Sequence, residues 1–175
     1  MCNNTKQRIA DVVEELICTQ PVGKITVQQV MELTQMNRQS FYYHYQDIHD
    51  VLQRIIQQKF CRPLAFDPQE QVEDWCRRGL TLLKDNRLLL KRITRELGSD
   101  KMYALVQPII RPQVDRLLPT GADPQVRVLA AETVCHSILY SVTGLIFKPQ
   151  PLDVEQSLEK LRSVIAVLRT HPFHP

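Results

Sequence analysis

Nearly all of the side chains from residue 37 to residue 44 are of types that can form hydrogen bonds or offer an aromatic ring for contact. They are Asn37, Arg38, Gln39, Ser40, Tyr42, Tyr43 and His44, with the apolar ring of Phe41 among them. The segment before them begins at Thr26, and a further segment starts at Asp47. Across Thr26–Asp50 the sequence predicts a short helix, a tight turn and a second short helix that carries these side chains. This is the arrangement of a DNA-binding helix-turn-helix.

Three polar residues are placed where helices begin. Thr26 and Gln29 are spaced as a capping box, in which the Thr hydroxyl accepts a first-turn amide and Gln29 reaches back to the cap. Asn37 is a good N-cap for the second helix, and Asp47 is one for a third. These residues predict helix starts at about 27, 38 and 48.

The second of these helices has an inner and an outer face. Phe41 and Tyr45 are four residues apart and are predicted to pack inward together. Arg38, Gln39 and Tyr43 fall on other faces, where the alternative to DNA contact is an ordinary solvated surface. His44 is either a contact or a satisfied packing histidine.

Composition sets limits on the class of protein. The chain has 175 residues, 43% of them apolar, which is enough for one large or two small domains with a real core. It has no run of about 18 apolar residues and no signal-peptide pattern, so a cytoplasmic protein is expected.

The net charge of +3 is only weak evidence for an anionic partner. The first 60 residues carry six Lys or Arg and six Asp or Glu. Any DNA affinity must therefore come from placed side chains, with a modest salt dependence.

No pattern for catalysis is present. The cysteines are odd in number and no C-x-x-C occurs, so free thiols are expected rather than disulfides or a zinc site. The five are Cys2, Cys18, Cys61, Cys76 and Cys135. Phosphate-binding glycine loops, G-x-S-x-G and H-E-x-x-H are all missing. We expect that the protein is not an enzyme and that it binds no cofactor and no metal. His171 and His174 are interpreted as part of a loose tail.

Helical periodicity continues along the whole chain, and an all-α fold is predicted. Apolar stripes mark helices at residues 5–19 and 47–62, and Pro63 is the expected domain boundary. Asp67-Pro68 and Asp123-Pro124 both resemble helix starts, with a cap followed by a proline. Domain 1–48 is expected to be the three-helix DNA-binding domain, and 63–175 a helical ligand-binding and dimerisation domain.

Three further predictions concern the helices in the second half of the chain. Gly98 should end a helix that begins at Leu88. Pro108 and Pro112 should kink or divide the helix after it, which runs to about Leu118. The helix after Asp123 is apolar around most of its girth, so it should be buried on two sides.

The stretch QQVMELTQMNRQSFYYHYQDIHDVL, preceded by an amphipathic helix, resembles the N-terminal domain of TetR-family transcriptional regulators. Its segment M-N-R-Q-S-F-Y-x-H-Y matches the family's V-S-R-G-T-L-Y-x-[YH]-F position by position, and the resemblance covers about residues 5–60. Gln35 stands where the family usually has a turn glycine, so the turn should manage without an easy positive φ. Ile48 replaces a phosphate-clamping lysine, which leaves His49 or the helix N-terminus as substitutes.

The resemblance implies specific DNA contacts. Thr26 would meet a phosphate at a helix N-terminus. Arg38 and Gln39 would reach base edges, where Arg suits guanine and Gln suits adenine. The remaining implied contacts are Asn37, Ser40, Tyr42, Tyr43 and His44, for phosphates, sugars or a thymine methyl.

The resemblance also implies a homodimer on a palindromic operator in double-stranded DNA, with repression favoured over activation. Control would come from a small molecule or a partner protein acting on the C-terminal domain. Trp75, Tyr103, His136 and Tyr140 are candidates to line a ligand pocket, the alternative being that they are core aromatics. A narrower likeness is to the dihydroxyacetone-kinase operon activators of this family, which a ligand-carrying partner protein controls. The alternative function is a protein–protein interaction module, or a coactivator-dependent activator that binds DNA weakly alone.

Overall fold

The computed structural model describes residues 2–170, with side chains described for residues 4–166. The predicted tail residues His171 and His174, and the side chains of Cys2 and Leu168, lie outside these limits. Over the described residues the chain forms eight α-helices and no strand, which confirms the all-α prediction. The helices are α1 (Cys2–Thr19), α2 (Val27–Thr34), α3 (Arg38–His44), α4 (Ile48–Ile56), α5 (Val72–Asp85), α6 (Arg87–Leu117), α7 (Pro124–Phe147) and α8 (Val154–Thr170).

The described residues form two compact units. Unit 1 contains the residues up to Pro63 together with Leu88–Leu105, and unit 2 contains Leu64–Arg87 together with the residues from Val106 onward. The first part of α6 therefore packs with the N-terminal helices. The core of unit 1 is built from the apolar stripes of its helices, including Ile9, Val13, Ile17, Val30, Phe41, Tyr45, Val51, Leu52, Ile55, Ile56 and Ile93.

The helical segment that begins with α4 changes from α-helical to π-helical winding near the end of unit 1. α4 is followed directly by a π-helical turn, Gln57–Cys61, in which the Arg62 amide donates to the Gln57 carbonyl over 2.9 Å. Phe60 is buried there, and Lys59 Nζ lies 2.6 Å from Glu14 Oε1 on α1. The ion pair ties the surface of this segment to α1.

The two predicted Asp-Pro helix starts have different outcomes. Asp123 accepts hydrogen bonds from the amides of Gln125 and Val126 and begins α7, as predicted. The prediction at Asp67 is wrong, because α5 begins only at Val72. The Asp67 carboxylate accepts from the Gln69 amide over 2.8 Å and its carbonyl accepts from Glu70, so the segment closes into an isolated turn.

Glycine, and not proline, interrupts α6. Gly98 has φ 78° and ψ 167°, outside the helical region, as the sequence predicted. Pro108 and Pro112 lie inside the helix without dividing it, so the expectation of two pieces at these prolines is wrong. Gly98 carries no Cβ and adopts a positive φ at little cost, which makes it the easier place for a break.

α7 is buried on one side only within a single protomer. Ala131, Cys135 and Ile146 are buried, whereas Leu129 and Tyr140 are 66% and 82% exposed. The predicted burial on two sides is therefore incomplete in one chain. By length and composition α7 is also apolar enough to cross a membrane, a test that the core helix of a soluble protein also passes.

Candidate nucleic-acid interface

The first helix of the motif begins with the predicted cap. Thr26 is extended (φ −110°, ψ 151°), and its Oγ1 accepts a hydrogen bond from the Gln29 amide over 3.2 Å. The side chain of Thr26 is exposed. The other amides of the first turn of α2 have no partner within the helix, at a helix end that carries partial positive charge.

The second half of the predicted capping box is not formed. Gln29 Oε1 instead accepts a hydrogen bond from Gln20 Nε2 over 2.9 Å, at the end of α1. Gln20 is within reach because the 3₁₀ turn Val22–Lys24 brings the chain back beside α1. A partner outside the helix has replaced the local one.

The turn between α2 and α3 uses a left-handed residue that is not glycine. Gln35 has φ 54° and ψ 37°, and it is the one non-glycine residue with positive φ in the described chain. The amide of Met36 donates to the Met31 carbonyl over 3.1 Å, which closes the end of α2. The turn does manage without glycine, as expected: the left-handed geometry is kept by Gln35, a residue that adopts it less readily.

The second helix is anchored from its inner face. Asn37 Oδ1 accepts from the Ser40 amide over 2.8 Å, so the predicted cap is formed. Phe41 and Tyr45 are 1% and 2% exposed, and the Tyr45 hydroxyl donates to the Lys6 carbonyl over 2.9 Å. Burial raises the pKa of Tyr45 to about 12, so the phenol stays protonated and keeps this bond.

The outer face of α3 presents the other predicted residues to solvent. Arg38, Gln39 and Tyr43 are exposed, Tyr43 by 76%. The Arg38 guanidinium lies 5.6 Å from the centre of the Tyr42 ring, and its Nη2 donates to the Tyr42 hydroxyl over 3.4 Å. Ser40 and His44 are half-buried, and the His44 ring meets Tyr43 edge-on at 4.9 Å. One short helix thus offers a cation, amides and aromatic rings together.

The start of α4 differs from the family pattern. Asp47 caps it by accepting from the Asp50 amide over 2.9 Å, and Ile48 is half-buried. His49, the possible substitute for the missing lysine, has its Nε2 3.1 Å from Glu96 Oε1 on α6. A carboxylate thus already occupies the polar edge of His49.

The four predicted pocket residues are found in different settings. Trp75 Nε1 donates to the Leu64 carbonyl over 2.9 Å, and His136 and Tyr140 lie one turn apart on the exposed side of α7. Tyr103 belongs to unit 1, whereas the other three belong to unit 2.

Unit 2 contains a groove of 430 Å³ between α5 and α8, and none of these four residues lines it. It is lined by the apolar residues Val72, Leu158, Leu161 and Ile165 and by the charged residues Glu73, Asp74 and Arg162. The hydrogen bond from Arg162 holds the pKa of Glu73 below its usual range. The groove therefore combines apolar side chains with two carboxylates and one guanidinium.

Sequence reasoning missed several side chains that support the motif from a distance. Arg92 and Glu96 on α6 contact the end of α1 and the start of α4. They are separated from their partners by 72 and 47 positions. No local pattern signals such contacts, since a charged residue on an amphipathic helix usually faces solvent.

Two solved structures match nearly the full length of the chain. One is a TetR transcriptional regulator from Streptococcus agalactiae, with a TM-score of 0.72 and 17% identity over 94% of each chain. Another is the dihydroxyacetone kinase operon activator DhaS, with a TM-score of 0.68 and 13% identity over 93% of this chain and 94% of that one. No family model and no curated protein matches the sequence. At these identities the likeness establishes the fold, and the chain has the all-helical fold of TetR-type transcriptional regulators.

Proposed function

We propose that this protein is a sequence-specific DNA-binding regulator that binds a palindromic operator as a homodimer in the cytoplasm. The observation that carries the proposal is the arrangement of α3. Its inner rings, Phe41 and Tyr45, are fixed in the core, while Arg38, Gln39 and Tyr43 are exposed on the other side. A short helix held in this way suits insertion into a major groove.

Specificity in this proposal depends on a few side chains. The first 60 residues carry no net charge, so general attraction to phosphates is weak. Arg38 and Gln39 present the donors and acceptors that read guanine and adenine edges. The capped N-terminus of α2 at Thr26 would hold a phosphate and fix the register, as would Asn37, Ser40, Tyr42 and His44.

Dimerisation would use the exposed side of α7 together with α8. Leu129 and Tyr140 are about three helical turns apart, lie on one face and are both strongly exposed, so a partner on this face would bury them together. Pairing with a two-fold mate would bury them in a four-helix interface. The dimer would present its two α3 helices to successive major grooves, about 35 Å apart.

Regulation would act through unit 2, by a small molecule or a partner protein. An effector shifts the dimer between two arrangements only by its different affinity for each. We favour repression, in which the effector-free dimer occupies the operator. A reporter gene placed behind the selected operator checks the sign: deletion of the regulator should raise expression, whereas a fall would identify an activator.

Selection of bound sequences from a random double-stranded pool tests the central proposal. The purified full-length protein should enrich one inverted repeat, with half-site centres about 10 to 10.5 base pairs apart or a small multiple of a turn. A pool without enrichment, after several rounds at low salt, would contradict sequence-specific binding.

A second candidate function is a coactivator-dependent activator that binds DNA weakly alone. The observation that favours it is the structural likeness to the operon activator DhaS. The same selection discriminates the two functions. An activator of this type would enrich an operator only after addition of cell extract, and it would co-purify with a stoichiometric protein partner.

A further inference from the structure

We propose that Arg92, Gln20 and Gln29 form a relay of hydrogen bonds that positions the N-terminal turn of α2 for its DNA contact. The relay joins α6 to α2 through the last turn of α1, within unit 1. The predicted effect of this relay on operator affinity rests on the proposed DNA-binding function. The coupling of α6 to α2 does not, and it can be tested without DNA.

The first link holds the end of α1. Arg92 Nη1 donates to the Gln20 carbonyl over 3.1 Å and also to the carbonyl of Ile17. The Ile17 carbonyl lies in the last turn of α1 and the Gln20 carbonyl directly after it, at a helix end that carries partial negative charge and whose carbonyls lack partners within the helix. A guanidinium stays charged at every working pH and presents its donors in a fixed plane, so it holds this turn in one orientation.

The second link passes from the same residue to α2. The side-chain amide of Gln20, whose carbonyl Arg92 holds, donates to Gln29 Oε1 over 2.9 Å. Gln20 and Gln29 are both half-buried, so water competes less for this bond than at an exposed site. Arg92 thus fixes the backbone of Gln20, and Gln20 fixes the side chain of Gln29.

The third link reaches the end of the helix that would meet DNA. The backbone amide of Gln29 donates to the Thr26 hydroxyl, which defines the cap of α2. Gln29 is therefore held on both sides, by α1 through its side chain and by Thr26 through its amide. A shift of α6 that moves Arg92 would displace this turn, and with it the amides that would bind a phosphate.

Glu96, one turn after Arg92, strengthens the docking of α6. Its Oε1 meets His49 Nε2 on α4, and its Oε2 lies 3.9 Å from where a Cβ on Gly23 would stand. The same face of α6 therefore borders both the loop before α2 and the start of α4. The relay residues themselves are positioning residues, since only the α2 turn would touch DNA.

Hydrogen exchange of the full-length protein, read by mass spectrometry without DNA, tests the coupling. Arg92→Met and Gln29→Met should each accelerate exchange of the peptide covering residues 26–34 by about threefold or more. Exchange in the core of α4, at residues 51–56, should stay unchanged, which separates the effect from general unfolding. Gln29→Glu keeps an acceptor for Gln20 and should restore slow exchange, and Lys101→Met, exposed on α6, is the control. Unchanged exchange in α2 of the Arg92→Met protein would overturn the relay.

Operator affinity tests the consequence. Arg92→Met and Gln29→Met should each weaken binding by about tenfold, and the double variant should bind no more weakly than the weaker single variant, because both break one pathway. Multiplied losses in the double variant would refute a shared relay. If the wild-type protein selects no operator, the proposed function fails, and the exchange experiment alone decides whether α6 and α2 are coupled.

Discussion

Arg38 occupies the first turn of α3, where its guanidinium rests against the Tyr42 ring in the absence of DNA. This contact keeps the side chain extended along the outer face of the helix and limits the rotamers lost on binding. Arg38→Ala should lower operator affinity by about 1–3 kcal/mol and relax the base preference at one position of each half-site. Fluorescence anisotropy with a panel of single-base operator variants measures both effects.

A matched control removes the same charge elsewhere. Arg62 is exposed and lies directly after the π-helical turn, so Arg62→Ala changes the net charge equally without touching α3. Its operator affinity should stay within a factor of about two of wild type. Equal losses in the two variants, or an unchanged base preference in Arg38→Ala, would remove Arg38 from the set of base-reading residues.

Gln35 supplies a prediction about stability. A side chain at φ 54° is strained by contacts of its Cβ with the backbone, and glycine avoids this strain. Gln35→Gly should therefore stabilise the protein by about 0.5–1 kcal/mol, as measured by urea unfolding. Gln53→Gly, in the middle of α4, is the control and should destabilise by a similar amount. A loss of stability in Gln35→Gly would mean that the Gln35 side chain contributes more than its backbone strain costs.

For individual residues, the sequence correctly predicted the features that depend only on neighbouring residues in the chain. The caps at Thr26, Asn37 and Asp47 and the inward pair of Phe41 and Tyr45 are set by residue type and spacing alone, and the structure has them all. The pairing of Gln29 with Gln20 was missed because it depends on where another helix ends. The left-handed Gln35 was missed because the position demands the conformation, whichever residue occupies it.

Arginines close the carboxyl ends of three helices in this chain. Arg92 holds the end of α1, Arg127 donates to the Leu118 carbonyl after α6, and Arg87 does the same for α7. A guanidinium suits this position because its several donors satisfy adjacent carbonyls while its charge opposes the helix dipole. None of the three was predicted, since each arginine lies on a different element from the helix it caps.

Arg87 uses three of its donors on three carbonyls, which makes the contribution of such an arginine open to a stability test. It donates to the carbonyls of Ile146, Lys148 and Gln150, which span the end of α7 and the turn after it. Arg87→Met should destabilise the protein by about 1–3 kcal/mol, and Arg87→Lys should recover only part of this loss. Lys84→Met, exposed at the end of α5, serves as the control. Equal unfolding midpoints for Arg87→Met and Lys84→Met would show that the three bonds contribute nothing net.

Element boundaries were predictable where backbone chemistry alone decides them. Gly98 interrupts α6 because its conformational freedom is intrinsic. The identical dipeptides Asp67-Pro68 and Asp123-Pro124 begin a turn and a helix respectively, so the dipeptide is not sufficient. The residues after the dipeptide make the difference. Apolar residues begin three positions after Asp123, at Val126, whereas Pro68 and polar residues occupy every position from Asp67 to Gln71.

For the whole molecule, the exposed side of α7 is the surface that the proposed dimer would cover. Its outward stripe runs through Leu129, Thr133, His136 and Tyr140, all of which are exposed. The sequence showed that this helix is apolar around most of its girth but not which side faces its own chain. That distinction depends on the packing of unit 2, which periodicity does not encode.

The dimer gives the last prediction. Wild-type protein should sediment at twice the 20.3 kDa of one chain. Leu129→Glu or Tyr140→Glu places a carboxylate on the apolar stripe, and two-fold symmetry introduces it twice, so the dissociation constant should rise by on the order of 100-fold or more. Thr81→Glu, exposed on α5, adds the same charge away from the stripe and should leave the dimer intact. Sedimentation velocity over a range of concentrations measures the dissociation constants of the wild type and of the variants.

The monomeric variants should also lose affinity for the full inverted repeat while keeping the weak binding of wild type to a single half-site, because only the dimer holds both α3 helices on one duplex. A wild-type protein that stays at 20.3 kDa at every concentration, or variants that still dimerise, would exclude this face of α7 as the interface.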